Sequence, residues 1–314
     1  MLLGFFVRVF RFFGVSNPVW LHCASRKAAY APVVGRAKKE AIDKRTFQEV
    51  MMTKPKGYVD AAYLEAAFEA MLPIKRKSYQ LMNIQGGDAV LDVGCGPGFD
   101  TISLAKIVGP SGKVVGIDYD KEMIAQANKY AETKGVNDWC EHKQADATEL
   151  PFESNTFDSS RSERLFQHLV QPEKALMEMI RVTKPGGWII VLDTDWGTIS
   201  ADTPEPEIAQ RLWDLKATKL LNNGYAGRQL YRMFKQQHLL KISAEPYVLS
   251  STDYSYSRWM IMADELEQNA LSDGVITQEE LERLQAGFEK AGKEGTGFGT
   301  IGGVLAAGRK PNDE

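Results

Sequence analysis

A chain of 314 residues has room for two domains or for one larger α/β domain with insertions, and 44% hydrophobic with 25% charged residues excludes collagenous, coiled-coil and wholly disordered chains. The three cysteines, Cys23, Cys95 and Cys140, show no paired spacing, which excludes a disulfide framework or CxxC metal site and fits a reducing compartment. Residues 1–39 carry seven Lys/Arg and no acid, so the remainder holds 31 basic against 41 acidic side chains, and a body with net charge −10 argues against a nucleic-acid partner.

The opening stretch MLLGFFVRVFRFFGV is apolar and aromatic, but Arg8 and Arg11 interrupt it well short of the about 20 residues that span a bilayer. Residues 1–50 are expected to form a basic apolar leader, disordered or targeting, ahead of a domain at 51–314 that starts near Met51 or Met52. A cytoplasmic location is expected. The alternative is organelle targeting or weak membrane-surface contact through residues 1–39, with Phe side chains inserted and Arg heads at the lipid headgroups.

An alanine-rich helix is expected over about 60–72, with Tyr63, Leu64, Ala67, Phe68 and Met71 at helical spacing until Pro73, followed by a second helix to Asn83. Short apolar runs at 89–93, 113–118 and 188–193 alternate with helical segments at 100–108 and 121–134, the rhythm of βαβ units and a parallel sheet. Weaker strands are expected at 141–146, 156–161, 244–250 and 299–307. Helices are expected near 163–170, 172–183, 205–222, 226–238, 255–270 and 278–292.

Asp92-Val93-Gly94-Cys95-Gly96-Pro97-Gly98 closes a buried strand and opens a helix, where glycines let a ligand approach the backbone and free N–H groups point outward. A dinucleotide fingerprint fails because Phe99 stands where its last glycine belongs, and no Gly-Lys-Ser/Thr follows to make a P-loop. The acid in the loop opposes a pyrophosphate and suits a ligand with an ammonium or hydroxyl donor. Asp118 ends the next strand, where its carboxylate can accept both hydroxyls of a ribose, and Asp146 follows the third strand.

In the order VLDVGCGPG, GIDYD, ADATELPF, FDSSRSERLFQHL and RVTKPGGWIIV, residues 74–195 resemble the class I S-adenosylmethionine-dependent methyltransferases, nearest the small-molecule branch that includes quinone-biosynthesis enzymes. The resemblance implies an α/β, doubly wound, mostly parallel seven-stranded sheet with a reversed last strand, and S-adenosyl-L-methionine as cofactor. It implies that Asp92, Gly94, Cys95, Gly96 and Gly98 hold the methionine moiety, that Asp118 with Tyr119 takes the ribose, and that Met123 covers an adenine face. Asp146 and Ala147 would meet the adenine edge, and Ser162 would line the methionine end. The fourth strand departs from the family in being polar (Asp158-Ser159-Ser160-Arg161), which puts the packing of its inner face in question.

His168, after the fourth strand, is the candidate general base, weighed against a structural role in its helix. Asp193, Asp195 and Trp196 leave the fifth strand at its carboxyl end, where open α/β sheets bind ligands, and with Arg228 they are the candidate acceptor residues. Helical lid insertions at about 205–240 and 253–292, rich in Trp213, Tyr225, Tyr231, Tyr254, Tyr256 and Trp259, suit a small ring-bearing or lipophilic acceptor. No metal is expected. Asn269–Glu280 imitates a calcium loop but has Leu271 where oxygen is required, and Thr277 with Glu280 reads better as a capping box. Two readings compete with the enzyme: a non-catalytic methyltransferase-like module that keeps the cofactor as a ligand, and a nicotinamide oxidoreductase. Oligomeric state and the methylated element are open at this point.

Overall fold

The computed structural model describes residues 61–312, so the expected leader and the domain start near Met51 lie outside the described residues. Seven strands form one sheet in the order β3-β2-β1-β4-β5-β7-β6. They are β1 (Ala89–Val93), β2 (Lys113–Asp118), β3 (Cys140–Gln144), β4 (Phe157–Glu163), β5 (Thr183–Ala201), β6 (Leu240–Ser251) and β7 (Gly299–Arg309). β1 through β5 pair in parallel, while β7 runs antiparallel between β5 and β6, which is the expected reversed last strand.

Burial on both faces explains the near-continuous apolar runs of β1 and β2. One face is covered by α1 (Ala61–Leu81), α2 (Phe99–Val108) and α3 (Lys121–Thr133), through Met71, Tyr79, Ile102, Leu104 and Ala131. The other is covered by α4 (Pro172–Val182) and α6 (Ala226–Gln236), through Leu176, Met179, Leu230 and Phe234. Beyond the sheet, α5 (Pro206–Leu215), α8 (Ala263–Ser272) and α9 (Gln278–Glu294) share a satellite core of Leu212, Leu266 and Leu284. The chain reverses its direction of travel across the sheet between β1 and β4, so a crevice opens at their carboxyl ends.

Four expectations need correction. α1 does not stop at Pro73 but continues to Leu81. The turns beyond the proline bury Lys75, Ser78, Tyr79 and Met82, and that burial offsets the one backbone hydrogen bond the proline cannot donate. The helix expected at 163–170 is a single 3₁₀ turn, Phe166–His168, because Arg164 enters it with φ +50° and Phe166 N–H is taken by the Asp193 carboxylate. The segment expected as one helix at 255–270 is split into α7 (Tyr254–Met260) and α8 by Met262 at φ +54°. The helix expected at 205–222 gives way after Leu215 to a π-helical turn, Lys216–Leu220. By contrast, α9 begins with the expected reciprocal Thr277–Glu280 capping box.

The polar fourth strand packs by pairing its side chains. Ser159 Oγ donates to Trp188 O, and Ser160 meets Thr183 Oγ1 at 2.8 Å. Arg161, 1% exposed, turns to the α1–α3 face and finds three carboxylates.

Candidate functional site

The glycine loop between β1 and α2 takes its shape from backbone pairings. Gly94 and Cys95 N–H groups both reach Ile117 O on β2, and Gly96 N–H donates to Asp118 Oδ2 at 2.9 Å. Gly94 and Gly96 have φ of +77° and +50°, a region side chains resist, and a Cβ at Gly96 would come within 3.3 Å of Leu64 on α1. Asp118 Oδ1 accepts a second bond from Asp120 N–H, so the carboxylate is fixed in place with outer lone pairs left over. Burial raises its pKa, against the pull of those backbone N–H groups.

A cleft of about 960 Å³ opens over this loop, within the range of ligand pockets. Asp92, Gly94, Cys95 and Gly96 border it on the loop side. Asp118, Tyr119, Met123, Asp146 and Ala147 border it along the ends of β2 and β3. Tyr119 stands 71% exposed at the rim, whereas Met123 is buried beneath it. Gly98 does not border the cleft. A Cβ there would meet Ala127 at 3.0 Å and His142 Nε2 at 3.1 Å, so its glycine serves the close packing of the loop on α3 and β3. Ser162 is also displaced from its expected place: it is fully buried, its Oγ has no partner, and strand alternation turns Arg161 and Glu163 to the cleft instead.

Beneath the loop lies an ionic cluster with no counterpart in the sequence reading. Arg161 pairs with Asp92 at 3.1 Å, Asp100 at 3.2 Å and Glu163 at 2.7 Å, while Lys75 from α1 pairs with Asp100 at 2.8 Å and also with Glu163. Three carboxylates thus share two cations. Full burial, against the pull of Arg161 and with a smaller push from Asp100 and Glu163, raises Asp92 to about 7, while Asp100, between both cations, is held below the usual carboxylate range. Arg161 announced itself as a basic residue inside a strand. Lys75 gave no signal, since it stands among other helical lysines and arginines.

A second, much smaller apolar chamber, of about 60 Å³, adjoins the cleft and shares Leu64, Arg164 and His168 with it. Its walls include Tyr63, Trp196, Tyr247, Tyr256 and Trp259, with Met260 and Met262. Trp196 is locked from three sides: its backbone N–H donates to Gly224 O at 2.8 Å, its Nε1 donates to Gln167 Oε1 at 2.5 Å, and Lys216 Nζ lies 5.0 Å from its ring. Tyr63 Oη donates to Met260 O, tying α1 to the last turn of α7. His168, on the 3₁₀ turn, has its Nε2 3.2 Å from Gln167 Nε2.

The other expected acceptor residues face elsewhere. Asp193 is fully buried, receives N–H bonds from Phe166 and Thr194 at 2.7 and 2.8 Å, and is raised by burial to about 7. It fixes the 3₁₀ turn that carries His168. Asp195 pairs with Arg228 Nε at 2.5 Å, and neither borders the cleft or the chamber. Residue order along β5 does not distinguish these acids from Trp196; all three are buried, and only Trp196 borders the chamber.

Comparison with known proteins bears on this geometry. A family model described as "Methyltransferase domain" matches residues 84–245. The chain belongs to that family, the class I S-adenosylmethionine-dependent methyltransferases. A demethylmenaquinone methyltransferase of Bacillus pumilus is 40% identical over 118 residues, which is 38% of this chain and 50% of that protein. An uncharacterized 37.1 kDa protein from a Streptomyces fradiae transposon is 35% identical over 176 residues, 55% of this chain and 50% of the relative. The chain thus spans about half the length of the curated relatives it matches. Among solved structures, the YcgJ protein of Bacillus subtilis superposes with a TM-score of 0.55 at 19% identity, over 78% of this chain and 99% of that one, and shares the fold. Among the described residues, no helix is long and apolar enough to cross a membrane.

Proposed function

We propose that this methyltransferase-family chain transfers the methyl group of S-adenosyl-L-methionine to a small, ring-bearing or lipophilic acceptor. The observation that carries the reading is the junction of a backbone-lined cleft with an aromatic chamber at Leu64, Arg164 and His168. In this reading the outer lone pairs of Asp118 accept the ribose hydroxyls, Met123 covers the adenine, and Asp146 with Ala147 meets its edge. The loop backbone of Gly94 and Gly96 takes the methionine end. Asp92, committed to Arg161, holds the loop.

The cofactor, when bound, supplies an electrophilic methyl carbon on a sulfonium. That carbon would be open to attack by an acceptor lone pair, with the sulfur departing as a neutral thioether. The protein's part is alignment and exclusion of water: the chamber walls hold the acceptor, and the Gln167–Trp196 bond keeps the indole from swinging into its place. His168 stands where it can take a proton if the acceptor must lose one. The likeness to demethylmenaquinone methyltransferases supports a quinol-type ring among the acceptors to try first.

The test is incubation with methyl-labelled donor and a panel of quinols, phenols and amines, read by mass, beside calorimetry of donor binding. Label transfer to a ring-bearing acceptor is expected. Donor binding without turnover of any acceptor would favour the non-catalytic module, and tight nicotinamide-dinucleotide binding without donor binding would overturn the assignment.

A further inference from the structure

Arg164 stands at the one place where the cleft and the chamber meet, and it is held there at some cost. Its φ of +50° lies in the left-handed region that non-glycine residues seldom adopt, and its backbone is pinned by N–H donation to Leu192 O at 2.8 Å and by Gln167 Nε2 donating to its carbonyl at 3.1 Å. The residue borders both the chamber and the cleft, with its guanidinium 5.8 Å from the Tyr63 ring.

The charge it brings is poorly matched from within the protein. The guanidinium bonds the Tyr63 hydroxyl, but its Nε is buried without a hydrogen-bond partner; the nearest carboxylate oxygen, on Glu163, is 3.7 Å away and already serves Lys75, while the other Glu163 oxygen serves Arg161. Asp193 also faces it, but that carboxyl is raised to about 7 by burial. Among the described residues that line the chamber there is no Asp or Glu. An ammonium entering this chamber finds no counterion and meets a cation, whereas an oxyanion meets an incompletely satisfied guanidinium that can bind it with charge-assisted hydrogen bonds.

We infer that Arg164 is a specificity-determining residue that selects acceptors carrying an acidic oxygen (a phenol, enol or carboxylate) on an apolar frame, and holds that oxygen at the boundary with the donor cleft. The inference rests on the methyltransferase reading above and deepens it. Holding the oxygen as an anion supplies the nucleophilic lone pair without a separate base; the proton has already left to solvent when the acceptor binds.

Three probes on one frame test this: naphthalene-2-carboxylate, naphthalene-2-methanol and naphthalene-2-methylammonium, titrated calorimetrically into the full chain saturated with S-adenosylhomocysteine. The carboxylate should bind at least tenfold more tightly than the ammonium, with the alcohol between. Arg164→Gln should abolish that preference and Arg164→Lys retain part of it, each variant first shown by melting to be folded. The wild-type ranking tests the inference even if a variant does not fold. Equal or tighter binding of the ammonium, or a carboxylate preference that persists in Arg164→Gln, overturns the role of Arg164 and leaves the methyltransferase reading standing, provided S-adenosylhomocysteine binds. Failure of S-adenosylhomocysteine to bind the wild type overturns the reading and the inference together.

Discussion

The cleft over β1, β2 and β3 is shaped mainly by one stretch of backbone, in which seven consecutive residues, 92–98, set the glycine loop and a single carboxylate, Asp118, braces it across β2. The aromatic chamber beside it is made of side chains drawn from widely separated places: Tyr63 on α1, Trp196 on β5, Tyr247 on β6 and Trp259 on α7. A site made of local backbone is sensitive at its glycines, at its brace and at the buried ion pairs that hold the loop from below. A site made of distant side chains can be altered wall by wall while the loop stays intact. Substitutions should therefore separate donor binding from acceptor selection cleanly, and each of the following would weaken that division if it failed.

The largest effect is expected at Gly96. A valine there must adopt φ +50°, place its Cβ within 3.3 Å of Leu64 and keep an N–H aimed at Asp118. Left-handed strain of about 1–2 kcal/mol, added to a lost charge-assisted bond of about 1.5–3 kcal/mol, puts the donor affinity of Gly96→Val about a hundredfold or more down. Calorimetry with S-adenosylmethionine measures it; an affinity within threefold of wild type would mean the loop is not the donor site. Asp118→Ala comes next. It removes the acceptor of the Gly96 and Asp120 N–H groups as well as the proposed ribose contact, so a loss of about tenfold or more is expected in the same titration.

A smaller and differently distributed effect is expected at the chamber. Trp196→Phe keeps a ring in the wall but loses the bond to Gln167 Oε1, worth about 1 kcal/mol. The acceptor's KM should rise by roughly three- to tenfold while donor affinity stays within about threefold. Steady-state kinetics with a verified acceptor decides, and a parallel loss of donor affinity would show the two sites to be coupled through the 3₁₀ turn.

The same contrast governs what a single sequence makes legible. The strand rhythm, the glycines of the loop and the Thr277 capping box are local patterns, and each is readable because its physics involves neighbours in the chain. Pro73 misled because the burial that carries α1 past it comes from tertiary contacts of Lys75, Ser78 and Tyr79. Asp193 and Asp195 misled because position at a strand's carboxyl end says nothing about the direction of a side chain; one braces the 3₁₀ turn and the other pairs with Arg228. Arg164 carries no sequence signal, since neither its backbone strain nor the missing partner of its Nε is visible without the fold.

Two buried bases, one in each half, allow the comparison to be made by pH alone. His142 lies under the glycine loop, its Nε2 2.7 Å from Thr101 Oγ1 and its Nδ1 3.1 Å from Asn128 Oδ1, and burial lowers its pKa from 6.5 to about 4. Lys216 lies behind Trp196 in the π-helical turn, and burial lowers it from 10.5 to about 8, with Glu265 pulling weakly the other way. In both cases the unfolded chain binds the proton more tightly than the folded one, so stability rises with pH between the folded and unfolded values. The His142 contribution is fully present above about 6.5 and is lost as pH falls toward 4; the Lys216 contribution is fully present above about 10.5 and is lost as pH falls toward 8. His142→Asn should flatten the melting-temperature slope in the acid window alone, and Lys216→Met in the alkaline window alone, while raising stability at pH 7 by removing a charge that burial disfavours. Thermal melts from pH 4 to 10.5 read both. A Lys216→Met protein that melts lower at pH 7 would mean the ammonium's contact with the Trp196 ring outweighs its burial, and that the acceptor half, like the donor half, depends on one charged brace.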